Sequence, residues 1–167
     1  MILDDASILE NGVKILSNEF EKFNIFNVPR YSENAIDWAS ELGKIEILEW
    51  WKNSELVLKY SECAIDWASG NNKIEVLEWW KNSGLALKYS KYAINMASKN
   101  GHIEVLEWWK NSGLALKYSE NAIGWAFEYK KIKILEWWKN SGLVLKYPNN
   151  ILKILSIFIL IISKIFE

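Results

Sequence analysis

Five tyrosines, Tyr31, Tyr60, Tyr89, Tyr118 and Tyr147, stand 29 residues apart, and the four blocks between them align without a gap. The string LEWWKNSGL recurs at 77–85, 106–114 and 135–143, with LEWWKNSEL at 48–56. A fixed period of this length is the mark of a supersecondary unit that cannot bury its apolar face alone and must stack on its neighbours. The chain therefore divides into a degenerate N-terminal cap at 1–30, four repeats at 31–59, 60–88, 89–117 and 118–146, and a degenerate fifth repeat or apolar helix at 147–167.

Each block carries two short helical patterns. In the first, helix A, Ala35, Ile36, Trp38 and Ala39 fall at i, i+1, i+3 and i+4, and Ser32 is placed to cap the start. The turns ELGK, GNNK and KNGH are rich in Gly and Asn, which tolerate the positive φ that ends a helix. In the second, helix B, Ile45, Ile47, Leu48, Trp50 and Trp51 cover more than half the circumference, and NSGL supplies the terminating glycine at Gly84, Gly113 and Gly142. The first block has Glu55 there, a poorer stop. These patterns predict an all-α chain, an α-solenoid of stacked helix-turn-helix units. Adjacent tryptophans lie about 100° apart on a helix, so one ring is expected to face helix A and the other the adjoining block. Aromatics at this spacing read as core rather than as an aromatic groove.

The block resembles the ankyrin repeat, a turn and two helices with the signature T-P-L-H-x-A-A followed by G-H-x-E-V. NAIDWAS at 34–40 falls on the first element and GHIEVLEWW at 101–109 on the second, and the third block matches best through Gly101, His102, Glu104 and Val105. The wording is similar to short ankyrin-like repeats found in large sets in amoebae and their giant DNA viruses. The excess of Ile, Lys and Asn beside a single arginine, Arg30, fits an A/T-rich genome. The resemblance implies a protein-binding module whose helix A lines the concave, partner-facing surface. The period of 29 rather than about 33 implies shortened fingers. Asp37, Asp66, Asn95 and Gly124 replace the signature histidine, which is expected to cost its hydrogen bonds to the neighbouring turn.

Composition narrows the functions. A net charge of −1 with Glu and Lys interleaved leaves no basic stripe for nucleic acid. The lone cysteine, Cys63, forms no internal disulfide, and the acidic opening MILDDASILE does not look like a secretory signal, so an intracellular protein is expected, in a host cytoplasm if viral. Catalysis needs a converging nucleophile, base and orienting group, and the single histidine, His102, is a turn residue in ankyrin-like units. No catalytic, metal or cofactor residues are expected. Cys63 is a tolerated variant. The in-register Glu49, Glu78, Glu107 and Glu136 each precede a lysine by three residues and read as solvated ion pairs.

Differences among the copies concentrate on helix A and its turn, whereas residues 74–90 and 103–119 are identical. The candidate partner-binding residues are therefore Glu33, Asp37, Asp66, Lys91, Tyr92, Asn95, Lys99, Glu120 and Asn121, with Tyr92 the expected anchor between Lys91 and Asn95. Drift at exposed positions explains the same pattern. At the ends, residues 8–20 echo a turn and helix B without tryptophans, and Pro29 interrupts any helix leading on. YPNNILKILS at 147–156 tracks helix A, with Ile154 on the tryptophan position and Ser156 on the serine position. A bilayer span needs roughly twenty apolar residues, and only 154–163 lie between Lys153 and Lys164. The run is expected to be a terminal helix packed on the last repeat. Membrane attachment through residues 151–166, or a frameshifted or truncated end, is the alternative.

Overall fold

The computed structural model describes residues 34–54 and 57–149. The expected cap at 1–30, Ser32, Glu33, Glu55 and the apolar run from 150 onward lie outside the described residues. Within them the chain is all-helical, with eight helices and no strand. These are α1 (Ala35–Leu42), α2 (Ile45–Asn53), α3 (Cys63–Gly70), α4 (Ile74–Asn82), α5 (Tyr92–Asn100), α6 (Ile103–Asn111), α7 (Asn121–Glu128) and α8 (Ile132–Asn140). Every block thus yields one helix A and one helix B, each of eight or nine residues. Helices this short are marginal in isolation, so their stability comes from packing. The odd-numbered helices pack on one another in chain order, the even-numbered ones do the same, and each A helix packs on its own B helix.

Side-chain size explains the two rows. Helix A meets helix A through Ala64, Ala68, Ala93, Ala97, Ala122 and Ala126, all fully buried, so the backbones approach closely. Helix B supplies volume: Leu48, Leu77 and Leu106, then Val76, Val105 and Ile134, and one buried tryptophan per copy, Trp51, Trp80, Trp109 and Trp138. These residues form one continuous apolar cluster.

The A–B turns need one left-handed residue. Gly43 and Gly101 provide it in the first and third copies, while Asn72 and Lys130 take positive φ in the second and fourth. Between helix B and the next helix A, Tyr60, Tyr89 and Tyr118 pack on Trp80, Trp109 and Trp138 with ring centroids 4.7 to 4.9 Å apart. Each phenol donates a hydrogen bond to the following connector, at the carbonyls of Ala86, Ala115 and Val144. Lys88, Lys117 and Lys146 reach back to the carbonyls of Tyr60, Tyr89 and Tyr118 and lie over those rings. The 29-residue tyrosines thereby join consecutive connectors without a strand.

Candidate partner-binding face

Hydrogen bonds between copies decide which polar side chains are free to meet a partner. Asp37 accepts hydrogen bonds from the backbone N–H and the hydroxyl of Ser61, and Asp66 does the same with Ser90. Asn95 accepts from the Ser119 N–H at 3.2 Å and donates its amide to the Ser119 hydroxyl at 2.9 Å. The serines in turn accept from the N–H groups of Cys63, Tyr92 and Asn121. Each therefore caps the start of its helix, as the sequence pattern suggests for Ser32. Asp37, Asp66 and Asn95 are 1%, 4% and 0% exposed. Their placement on a partner-facing surface is corrected: they are interior latches, because a buried carboxylate or amide must be hydrogen-bonded. The expectation that losing the signature histidine costs the bond to the neighbouring turn is corrected at these three positions as well.

The fourth junction has a different chemistry. Gly124 occupies the latch position and Pro148, which has no N–H to donate, occupies the serine position. A Cβ at 124 would stand 2.7 Å from Pro148 Cγ, so the glycine makes room for the proline ring.

Burial pushes the Asp66 carboxyl above the usual carboxylate range, against the pull of Ser90's two hydrogen bonds and with the Glu62 charge adding to the rise. The folded chain holds this proton more tightly than the unfolded chain. The associated stabilisation is complete below the unfolded pKa of about 3.9 and is lost as pH rises through the higher folded value. Asp66→Asn reproduces the Asn95 latch without a charge. Its thermal midpoint is expected to equal or exceed the parent's at pH 7, with the difference shrinking toward pH 3. Melts across that range check this, and a variant that is less stable at pH 7 contradicts it.

The paired tryptophans both reach backward. Trp80, Trp109 and Trp138 donate their indole N–H to Ser40, Ser69 and Ser98 of the preceding helix A at 3.0 to 3.1 Å. Their neighbours Trp79, Trp108 and Trp137 donate to Glu49, Glu78 and Glu107 of the preceding helix B at 2.6, 2.8 and 2.5 Å. Each pair meets edge to face, with centroids 5.1 to 5.2 Å apart. Glu49, Glu78 and Glu107 thus accept from indoles, and Glu49 and Glu78 also from the amides of Asn53 and Asn82. The Trp108 N–H, then the Asn82 amide and more weakly the Lys81 charge hold the Glu78 carboxyl below its ordinary range. Among the described residues the buried Trp51 N–H has no acceptor.

What remains for recognition is a second aromatic set. Trp38, Trp67, Met96 and Trp125, one per A helix and 29 residues apart, are half-buried and lie outside the core cluster. Sequence reasoning placed Trp38 on the inward apolar face. The neighbouring Ala35, Ile36 and Ala39 do turn inward, whereas residues 38, 67, 96 and 125 lie along the row of A helices. Met96 packs against Gly70 of the preceding helix, and Lys99 holds its ammonium 5.5 Å from the Trp125 ring and 4.9 Å from that of Tyr129. Tyr92 is 48% exposed, Lys91 and Glu120 are exposed, and Lys99 and Asn121 are half-buried, all in or beside helices α5 and α7.

Nε2 of His102 lies 3.1 Å from the Gly70 carbonyl, which also accepts from the Asn100 amide, and this ties a turn to the preceding copy. Among the described residues no three His, Cys, Asp or Glu side chains are grouped to hold a metal ion, and no helix is long and apolar enough to cross a membrane. An open cleft of about 340 Å³ between α4 and α6 is lined by Glu78, Lys81, Glu104, Glu107 and Trp108 among others, without histidine or cysteine.

The chain matches no protein-family model, no curated protein and no solved structure.

Proposed function

We propose that this chain is a non-enzymatic recognition module: a short α-solenoid of ankyrin-like repeats that binds a protein segment along its row of A helices. The observation that carries the reading is the partly exposed series Trp38, Trp67, Met96 and Trp125, outside a core that already has its own tryptophans. Tryptophan, tyrosine and methionine concentrate at interface centres because they bury large area and, for the first two, keep a polar handle. The partner's chemistry follows from the basic groups beside the row. Lys91 and Lys99 flank Tyr92 and Met96, and Lys130 is exposed beside Tyr129. The surface suits a segment with large apolar side chains interspersed with carboxylates, its apolar groups meeting the aromatic row and its acids the lysines. Lys91, Tyr92, Lys99, Glu120 and Asn121 are its proposed polar contacts.

An array of defined amphipathic peptides, graded from basic to acidic, tests this with the full chain. Acidic, apolar-anchored peptides are expected to bind best, and Lys91→Ala, Tyr92→Ala, Lys99→Ala combined is expected to weaken them at least tenfold. Lys81→Ala with Lys110→Ala, on the B helices, is expected to leave affinity unchanged. A lack of binders on the array, or binding that responds to the B-helix pair instead, refutes the proposal.

A further inference from the structure

The tryptophans of the A helices differ from the paired ones in what their indoles do. Trp79, Trp80, Trp108, Trp109, Trp137 and Trp138 donate their N–H groups to the preceding copy. Those of Trp38, Trp67 and Trp125 have no acceptor among the described residues, and unlike Trp51 these side chains are partly exposed. Every copy but the third thus presents an aromatic ring with an unused donor, and Met96 carries the apolar row through the third.

Contact between A helices sets the interval along this row. Ala64, Ala68, Ala93 and Ala97 are fully buried there, and a Cβ at Gly70 would stand 3.1 Å from Met96 Cβ. Helices that pack directly on one another lie roughly 8–10 Å apart. A partner that meets every copy must present an apolar side chain at that interval. Like-facing residues of a β-strand recur at about 6.6 Å and turns of an α-helix at about 5.4 Å, so neither stays in step over four copies. Polyproline II repeats every three residues, or about 9.3 Å. Its carbonyls also lack internal donors and can accept from an indole, whereas those within an α-helix are already bonded to its own N–H groups.

Charge places the segment along the row. Three residues beyond each row member, on the same helical face, stand Glu41, Gly70, Lys99 and Glu128. The third copy is the basic one, with Lys91 exposed at the start of its helix. The Lys99 ammonium reaches toward the Trp125 ring of the next copy, so a carboxylate fits between the residues that meet the third and fourth copies.

We propose that the segment bound along the A helices is a proline-rich chain in the polyproline II conformation, with proline at every third position and one carboxylate opposite Lys99. Its prolines pack on the row, as proline-rich segments do in aromatic-lined grooves, and its carbonyls accept from Trp67 and Trp125. This rests on the recognition reading above and names the ligand of that surface.

Fluorescence anisotropy with the full chain tests it. The probes are ten-residue peptides with proline at every third position and one aspartate near either end, which allows for both chain directions. The better of the two is expected to bind roughly tenfold more tightly than a shuffled peptide with proline at every fourth position. Trp67→Phe, Trp125→Phe combined keeps the rings and removes the donors; it is expected to weaken binding about tenfold with an unchanged thermal midpoint. If that variant melts early, Trp67→Phe alone must still weaken binding about threefold. Equal affinity for the two registers, or undiminished binding to the phenylalanine variants, overturns the proposal. Tighter binding of an acidic amphipathic helical peptide, lost in Lys91→Ala, Tyr92→Ala, Lys99→Ala combined, overturns the extended ligand and leaves the recognition module standing. Failure of both kinds of peptide to bind overturns the two together.

Discussion

Replacing Trp80 by alanine is expected to cost about 3–5 kcal/mol, as removal of a large buried aromatic does. That is comparable with the whole stability of a small domain, about 5–15 kcal/mol. Trp80 is 1% exposed, lies 4.7 Å from Tyr60 and 5.1 Å from Trp79, and donates its N–H to Ser40. Its removal leaves a cavity where two copies meet and strips a partner from a buried hydroxyl. Trp79→Ala supplies the contrast, because that ring is only half-buried and its N–H bonds to Glu49 near the surface. A loss of about 1–2 kcal/mol is expected for it. Urea denaturation of both variants decides the matter, and similar losses would mean that adjacent tryptophans share one role. Units that stack one upon another unfold cooperatively only while their junctions hold. Trp80→Ala is therefore also expected to broaden the transition and lower its slope.

The second large effect belongs to the fourth junction. Gly124→Asp alone is expected to destabilise by roughly 3 kcal/mol, by forcing a side chain against the Pro148 ring and by placing a carboxylate where no serine N–H or hydroxyl can reach it. Adding Pro148→Ser rebuilds the Asp37–Ser61 arrangement and is expected to recover at least half of that loss. A double-mutant cycle measures the coupling directly, with an interaction energy above about 1 kcal/mol expected for residues in contact. Additive losses would mean that the two positions are not a latch.

Much of the fold was legible because it repeats. A block written four times in register averages away local ambiguity, so the helix pairs and the glycine after helix B could be read from one copy and checked on three. The second tryptophan of each LEWW string belongs to the interior for the same reason: an apolar position that recurs at helical spacing in every copy faces what every copy shares, a neighbouring copy. The candidate site was less legible. Asp37, Asp66 and Asn95 look like variable surface polar residues on a helical wheel, and only their pairing with a serine 24 residues later shows them to be interior. One signal was present in the letters: at the fourth junction aspartate and serine change together to glycine and proline. Trp38 shows the opposite failure. Hydropathy placed it inward with Ala35, Ile36 and Ala39, but those three are buried while Trp38 stays partly exposed, outside a core in which the A helices meet through alanines.

The sequence by itself determined the unit, its two helices, its period and the need for copies to stack, because periodicity and turn chemistry are local properties carried by each block. Tertiary structure alone decided which polar groups are spent between copies and which tryptophans stay partly exposed. Those outcomes depend on distances between residues 24, 30 and 40 apart in the chain, which only the packing of one copy on the next fixes.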